Sequence, residues 1–134
     1  MLLNLTDLSS ESLQSQIIRQ IRAAVLAGEM PAGGSLPSIR ALASEQRVSV
    51  ITVQRAYEEL EREGLIHSRR GKGFFVSELA DDEKKSMAKQ RLLDNVEPLI
   101  SAALSEGLRP KDVKEIVDLV LKKNGVTQSA RLGG

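Results

Sequence analysis

The chain has 134 residues, 19 basic and 18 acidic side chains and a formal net charge of +1, which suits one compact domain or a small domain with a helical extension. Cysteine and tryptophan are absent, and there are one histidine, one tyrosine and two phenylalanines; a disulfide framework, a thiolate or histidine-rich metal site, a cysteine nucleophile and an aromatic platform for single strands are thereby excluded. No apolar run approaches the roughly 20 residues that span a bilayer and the start has no signal-peptide pattern, so a cytoplasmic protein of bacterial type with no membrane contact and no cofactor is expected.

The first helix is predicted from about Glu11 to Ala27, because Leu13, Ile17, Ile18, Ile21, Ala24 and Val25 recur at helical spacing on one face. Gly28 sits where that helix stops, and the stretch to Gly34 supplies breakers and flexible turns. This helix reads as a scaffold whose Arg19 and Arg22 are solvated. Ser38 suits the N-cap of a second helix with Ile39, Leu42 and Ala43 buried. Pro37 sharpens its start by confining the preceding residue to an extended shape. Arg40 points away from the apolar set, toward a phosphate or base edge, or toward a helix-surface ion pair.

Ser49 suits the N-cap of a third helix. Val53, Ala56, Tyr57 and Leu60 share one face at offsets of three, four and seven, which leaves Ile51 and Arg55 nearly opposite, with Gln54 and Glu58 flanking them. An apolar Ile51 on an exposed first turn could meet a thymine methyl in a major groove, while Thr52 and Gln54 hydrogen-bond base edges; packing on a neighbouring helix is the plainer alternative. Gly64 ends the helix. Residues 65–69 and 74–77 are plausible strands joined by Arg70, Gly71, Lys72 and Gly73, a basic glycine loop of the kind that grips phosphate or lies in a minor groove. Because this loop does not run from a strand into a helix, nucleotide cradling is improbable. The basic residues from Arg40 to Lys72 cluster near the turn, the start of the third helix and the wing, whereas Glu58, Glu59, Glu61 and Glu63 fall late in that helix.

A helix, a tight turn, a second helix and a basic β-hairpin make a helix-turn-helix with a wing. The residues carrying this order also resemble a known family. Leu36-Pro37-Ser38-x-Arg40-x-Leu42-Ala43, then Val48-Ser49-x-x-Thr52-Val53-x-x-Ala56-Tyr57-x-x-Leu60, then Glu63-Gly64-Leu65-Ile66 and Arg69-Arg70-Gly71-Lys72-Gly73-x-x-Val76 look like the DNA-binding domain of the GntR superfamily of bacterial repressors. Gln16-Ile17 through Gly28-Glu29-x-Pro31-x-Gly33 extend the match, which covers roughly residues 12 to 77. The short helical C-terminal part is similar to the YtrA-type subgroup. The resemblance implies base contacts from Ser49, Val50, Ile51, Thr52 and Gln54, although relatives often carry more polar or basic residues at Val50 and Gln54. It also implies a homodimer. Relatives fused to a large pyridoxal-phosphate domain exist, but this chain lacks the length for one.

A boundary is expected at Leu79, separating a winged DNA-binding domain over 1–78 from a helical dimerisation region over 79–125 and a disordered tail over 126–134. A long helix from Asp81 to about Glu106 carries Leu92, Val96, Leu99, Ile100 and Leu104, with a kink or break near Asn95 caused by Pro98. Pro110 opens a last helix with Val113, Ile116, Val117, Val120 and Leu121 on one stripe. Two such helices enclose no core of their own, so their stripes bury against a second copy or fold back on the same chain. The expectation is a mainly α protein with a small β-wing, without catalytic or metal residues, that binds double-stranded DNA at a palindromic operator as a homodimer; the short appendage leaves little room for a drug-sized pocket, so a small-molecule effector, if there is one, could sit at the dimer interface. A winged-helix module that docks protein instead of DNA is the alternative.

Overall fold

The computed structural model describes residues 3–126 and contains, in order, α1 (Leu13–Leu26), α2 (Ile39–Gln46), α3 (Val50–Arg62), β1 (Ile66–Arg69), β2 (Gly73–Val76), α4 (Asp81–Ser105) and α5 (Pro110–Lys123). By compactness the chain divides into two units, 1–86 and 87–134. The tail expected over 126–134 lies outside the described residues apart from Val126.

In the first unit a serine starts each of the first three helices. The hydroxyls of Ser12, Ser38 and Ser49 accept the backbone N–H three residues on, at 3.1, 3.0 and 3.1 Å, each satisfying a donor that has no intrahelical partner. α3 packs against α1, α2 and β1, so it is the hub of the head. Its Val53, Ala56, Tyr57 and Leu60 are buried together with Ile17, Ile21 and Val25 of α1 and Leu42 of α2. α3 ends at Glu63, and Gly64 follows at φ 81°, a backbone shape that costs glycine nothing and turns the chain into β1.

Two expectations for this unit need correction. The stretch from Gly28 to Gly34 is not simply flexible. Its end lies along β2: Gly33 N–H donates to the Val76 carbonyl at 2.8 Å, Val76 N–H to Gly34 at 2.8 Å, and Leu36 N–H to Phe74 at 2.9 Å, with Ser35 bridging Phe75. The hairpin β1–β2 thus gains a third, short neighbour, which covers an edge that would otherwise stay unpaired. Arg22, expected to be solvated, instead forms a two-pronged ion pair with Glu63, Nε to Oε1 at 2.9 Å and Nη2 to Oε2 at 2.8 Å. Both side chains are largely shielded, and the hydrogen bonds to Glu63 hold the Arg22 proton more firmly than usual. This fork–fork contact ties α1 to the end of α3 across 41 residues of sequence.

The segment before α1 is also fastened. Gln16, buried at 1% exposure, accepts Thr6 N–H at 2.9 Å and donates to the Thr6 and Glu11 carbonyls at 2.8 and 2.9 Å. One turn on, Gln20 exchanges the same pair of bonds with Asn4, at 2.8 and 2.7 Å. Two side-chain amides thereby do for residues 4 and 6 what a neighbouring strand would do.

In the second unit α5 opens at Pro110, with Asp112 Oδ2 accepting Arg109 N–H at 2.8 Å and Lys122 and Lys123 in its last turn. α4 begins within the first unit, with Asp81, Asp82 and Glu83, favourable charges at a helix N-terminus. The helix runs on through Pro98, so the break considered near Asn95 does not occur. No residue of α4 or α5 is buried.

Tyr57 gives the first test. Its hydroxyl donates to the Pro37 carbonyl at 2.8 Å and its ring meets Phe74 edge-on, centroids 5.0 Å apart. Burial, and secondarily the charge of Glu45, push the phenol's pKa well above its ordinary value. The folded protein therefore keeps this proton when the unfolded chain would release it, so stability falls as pH rises beyond about 10. Tyr57→Phe keeps the ring but leaves the Pro37 carbonyl unpaired, an expected loss of about 1–3 kcal/mol in urea unfolding at neutral pH. The same variant should show a shallower alkaline decline; equal stability and an unchanged decline would remove this bond from the account.

Candidate nucleic-acid interface

Packing consumes one side of α3 and exposes the other. Val50 and Ile51 are 47% and 49% exposed, and Gln54 and Arg55 are exposed beside them. The predicted reading residues do not all stand equally free. Ser49 is engaged as the cap, and its hydroxyl also shares a 2.7 Å hydrogen bond with the Thr52 hydroxyl, which is half-buried. Thr52 is thus first a support of the α3 N-terminus. Gln54 Nε2 donates to Glu58 Oε1 at 3.1 Å, an exposed bond between neighbours one turn apart that is readily exchanged for another partner.

The wing is tighter than expected. Arg69 pairs with Gly73, so the loop proper is Arg70, Gly71 and Lys72, closed by Lys72 N–H donating to the Arg69 carbonyl at 2.9 Å. Gly71 has φ 73°, and a Cβ there would meet nothing within 4 Å, so backbone conformation rather than crowding selects glycine. The hairpin's two faces have different roles. Ile66, Phe74 and Val76 turn inward, whereas the Arg69 guanidinium lies over the Phe75 ring, 4.8 Å from its centroid, with His67 stacked on the same ring at 6.0 Å. Arg69 is held against the outer face of the wing by a cation–π contact; Arg70 and Lys72 are the exposed charges at its tip.

Sequence reasoning missed the residue that sets the wing against α3. Glu61 Oε2 accepts both the backbone N–H and the hydroxyl of Ser68, each at 2.9 Å. It had read as one more acid on a solvated helix end. A serine in a strand seven residues beyond a glutamate was the only available signal, and nothing local distinguishes it.

The arginines sort by partner. Arg19, Arg22 and Arg62 are ion-paired with Glu11, Glu63 and Glu59; Arg62, grouped by sequence with the basic residues of the turn and wing, belongs to the acidic end of α3. Among the described residues, Arg40, Arg47, Arg55, Arg70 and Lys72 make no side-chain hydrogen bond or ion pair and are exposed. They come from α2, the α2–α3 turn, the first half of α3 and the wing tip. Elsewhere in the head, an open cleft of about 380 Å³ is lined by Leu3, Gln20, Ile21, Ala24, Glu29, Met30, Ser35 and Pro37. No group of three or more acidic or histidine side chains among the described residues could hold a metal ion, and no described helix is long and apolar enough to cross a membrane.

Three helices with a capped, exposed third helix and a basic hairpin define a winged helix-turn-helix transcription regulator. The profile of the gntR family of bacterial regulatory proteins matches residues 13–76. The HTH-type transcriptional repressor YtrA of Bacillus subtilis is 42% identical over 88 residues, 63% of this chain and 68% of that protein. YhcF, an uncharacterized HTH-type transcriptional regulator of the same species, is 38% identical over 88 residues, 64% of this chain and 73% of its own. Among solved structures, a GntR family transcriptional regulator from Listeria monocytogenes superimposes with a TM-score of 0.66 at 28% identity, covering 84% of this chain and 96% of that one. The chain belongs to the GntR family, with the short helical C-terminal part of its YtrA-type members, and these relatives are transcriptional regulators rather than enzymes.

Glu61→Ala offers a check on the wing's anchorage. Losing the carboxylate should expose the Ser68 amide and speed its hydrogen exchange, while amides in the middle of α1 keep their protection. Unchanged exchange at Ser68 would mean the hairpin is positioned by β2 and Phe74 alone.

Proposed function

We propose that the protein is a sequence-specific repressor that binds a palindromic operator as a homodimer in the cytoplasm. The observation that carries the reading is the segregation of charge within the head: Arg19, Arg22 and Arg62 are neutralised by glutamates, Arg69 lies on Phe75, and Arg40, Arg47, Arg55, Arg70 and Lys72 have no hydrogen-bond or ion-pair partner among the described residues. Unpaired, exposed cations on α2, the α2–α3 turn, α3 and the wing tip match a polyanion, whose condensed counterions they displace. In this reading residues 1–78 hold the duplex. Arg40, Arg55, Arg70 and Lys72 meet phosphates, with Arg69, Gly71 and Gly73 shaping the wing; Val50, Ile51 and Gln54 face base edges, and Ser49 and Thr52 keep that turn in place.

Residues 79–125 supply the second copy. Leu92 is 64% exposed, Leu99 70%, Ile116 53%, Val117 47% and Val120 50%, a density of exposed apolar side chains that favours burial against another subunit. Val96, Ile100 and Val113 are partly covered, and Leu93, Leu108 and Leu119 widen the surface beyond the stripes read from periodicity. A two-fold pair of such chains carries two reading heads for two half-sites. The relative YtrA is named as a repressor, which supports repression here; a small-molecule effector remains compatible with this arrangement. The test is footprinting of the purified protein on the DNA flanking its own gene. Protection of an inverted repeat is the expected result, and protection of no site there would count against the operator reading.

Readout and assembly separate by substitution. Gln54→Ala should relax base preference at one position of each half-site by about 1–3 kcal/mol. Ile51→Ala should abolish a preference for thymine over uracil at another, and neither change should lower thermal stability appreciably. An unaltered operator profile would place specificity elsewhere. Leu99→Asp combined with Val117→Asp should convert the dimer to a monomer in sedimentation, with the head still folded and operator affinity much reduced. A dimer that survives both charges would move the interface away from α4 and α5.

A further inference from the structure

We propose that Arg47 is a phosphate anchor: its guanidinium, projecting from the α2–α3 turn, engages a backbone phosphate of duplex DNA whatever the base sequence. The inference rests on the DNA-facing reading of this side of the head. Three observations meet at the residue.

Arg47 is the one non-glycine residue with positive φ among those described, at φ 56° and ψ 45°. That left-handed conformation is disfavoured for a side chain with a Cβ and free for glycine. The turn itself needs only peptide groups. Arg47 N–H donates toward the Ser44 carbonyl at 3.4 Å and Val48 N–H to the Ala43 carbonyl at 3.0 Å, and a glycine would make both bonds. The side chain therefore strains the turn without closing it.

Nor does the side chain contribute elsewhere in the protein. It is exposed and, among the described residues, has neither hydrogen bond nor ion pair. An unfavourable backbone retained for an idle cation points to a partner outside the chain.

Position supplies the chemistry of that partner. Two residues on, Ser49 caps α3 by accepting Thr52 N–H, which leaves the Val50 and Ile51 N–H groups without intrahelical acceptors. A 13-residue helix presents a partial positive charge at this end. A phosphate drawn to these N–H groups lies next to the turn from which Arg47 projects, and a guanidinium fork suits its oxygens.

The experiment uses the full chain and a short mixed-sequence duplex, with affinity measured over a salt series. Arg47→Asn removes the charge while tolerating the left-handed backbone. It should flatten the log–log salt dependence by about one unit and weaken binding roughly eightfold near 0.1 M salt, the effect of one lost phosphate contact. Its Tm should be unchanged or raised, and Arg47→Lys should recover most of the affinity. Lys72→Ala serves as a parallel loss at the wing. If Arg47→Asn binds like the wild type with the same slope while Lys72→Ala weakens, the anchor is overturned and the DNA-facing reading stands. A wild type without salt-dependent binding overturns both. A Tm lowered by several degrees in Arg47→Asn and Arg47→Lys alike would make the residue structural and overturn the proposal.

Discussion

The head depends on the phenol of Tyr57. From a fully buried position on α3 its hydroxyl reaches the carbonyl just ahead of α2, and its ring abuts the first phenylalanine of β2. One side chain thus indexes the recognition helix to both the helix before it and the hairpin after it. In the proposed reading these parts meet one duplex together, and their spacing is set in the core rather than at the surface. The Glu61–Ser68 contact refines the same relation from the solvent side.

A net charge of +1 conceals this arrangement. The fold treats its arginines in two ways. Arg22 closes a shielded pair with Glu63 that joins distant segments, Arg19 reaches back to Glu11 ahead of α1, and Arg62 meets Glu59 one turn earlier on α3. Within the head, what remains is a set of cations on α2, the α2–α3 turn, the first half of α3 and the wing tip. Local pairing and global sorting together make a nearly neutral protein locally basic, and at physiological salt only the local distribution is felt by a ligand.

The legible part of this structure was the part written in periodicity and punctuation. Val53, Ala56, Tyr57 and Leu60 at helical spacing announced the core face of α3, and with it the exposure of Ile51 and Arg55. Ser38, Ser49 and Gly64 marked boundaries where the structure has them. Illegible features depended on partners far away in sequence. Gly28 to Gly34 reads as flexible turns because three glycines and Pro31 fall within seven residues, yet the peptide groups of β2 make its end, with Ser35 and Leu36, strand-like. Arg22 looked solvated because its mate lies across the core. The turn at Arg47 escaped notice because the residue there is not the glycine that usually signals a left-handed backbone.

The glutamine clamp on the N-terminal segment has a consequence for where the head begins. Similarity to the family starts at Leu13, and α1 with its serine cap starts there too. Yet Gln16 is almost wholly enclosed, and its amide is satisfied by Thr6 and Glu11. A chain begun at the edge of the matched stretch would keep every helix and strand of the head but lose the three bonds that satisfy Gln16 and the residues that cover it. The unit that is recognisable by descent and the unit that satisfies its own hydrogen bonds therefore differ in extent, and the folding unit reaches back to Asn4.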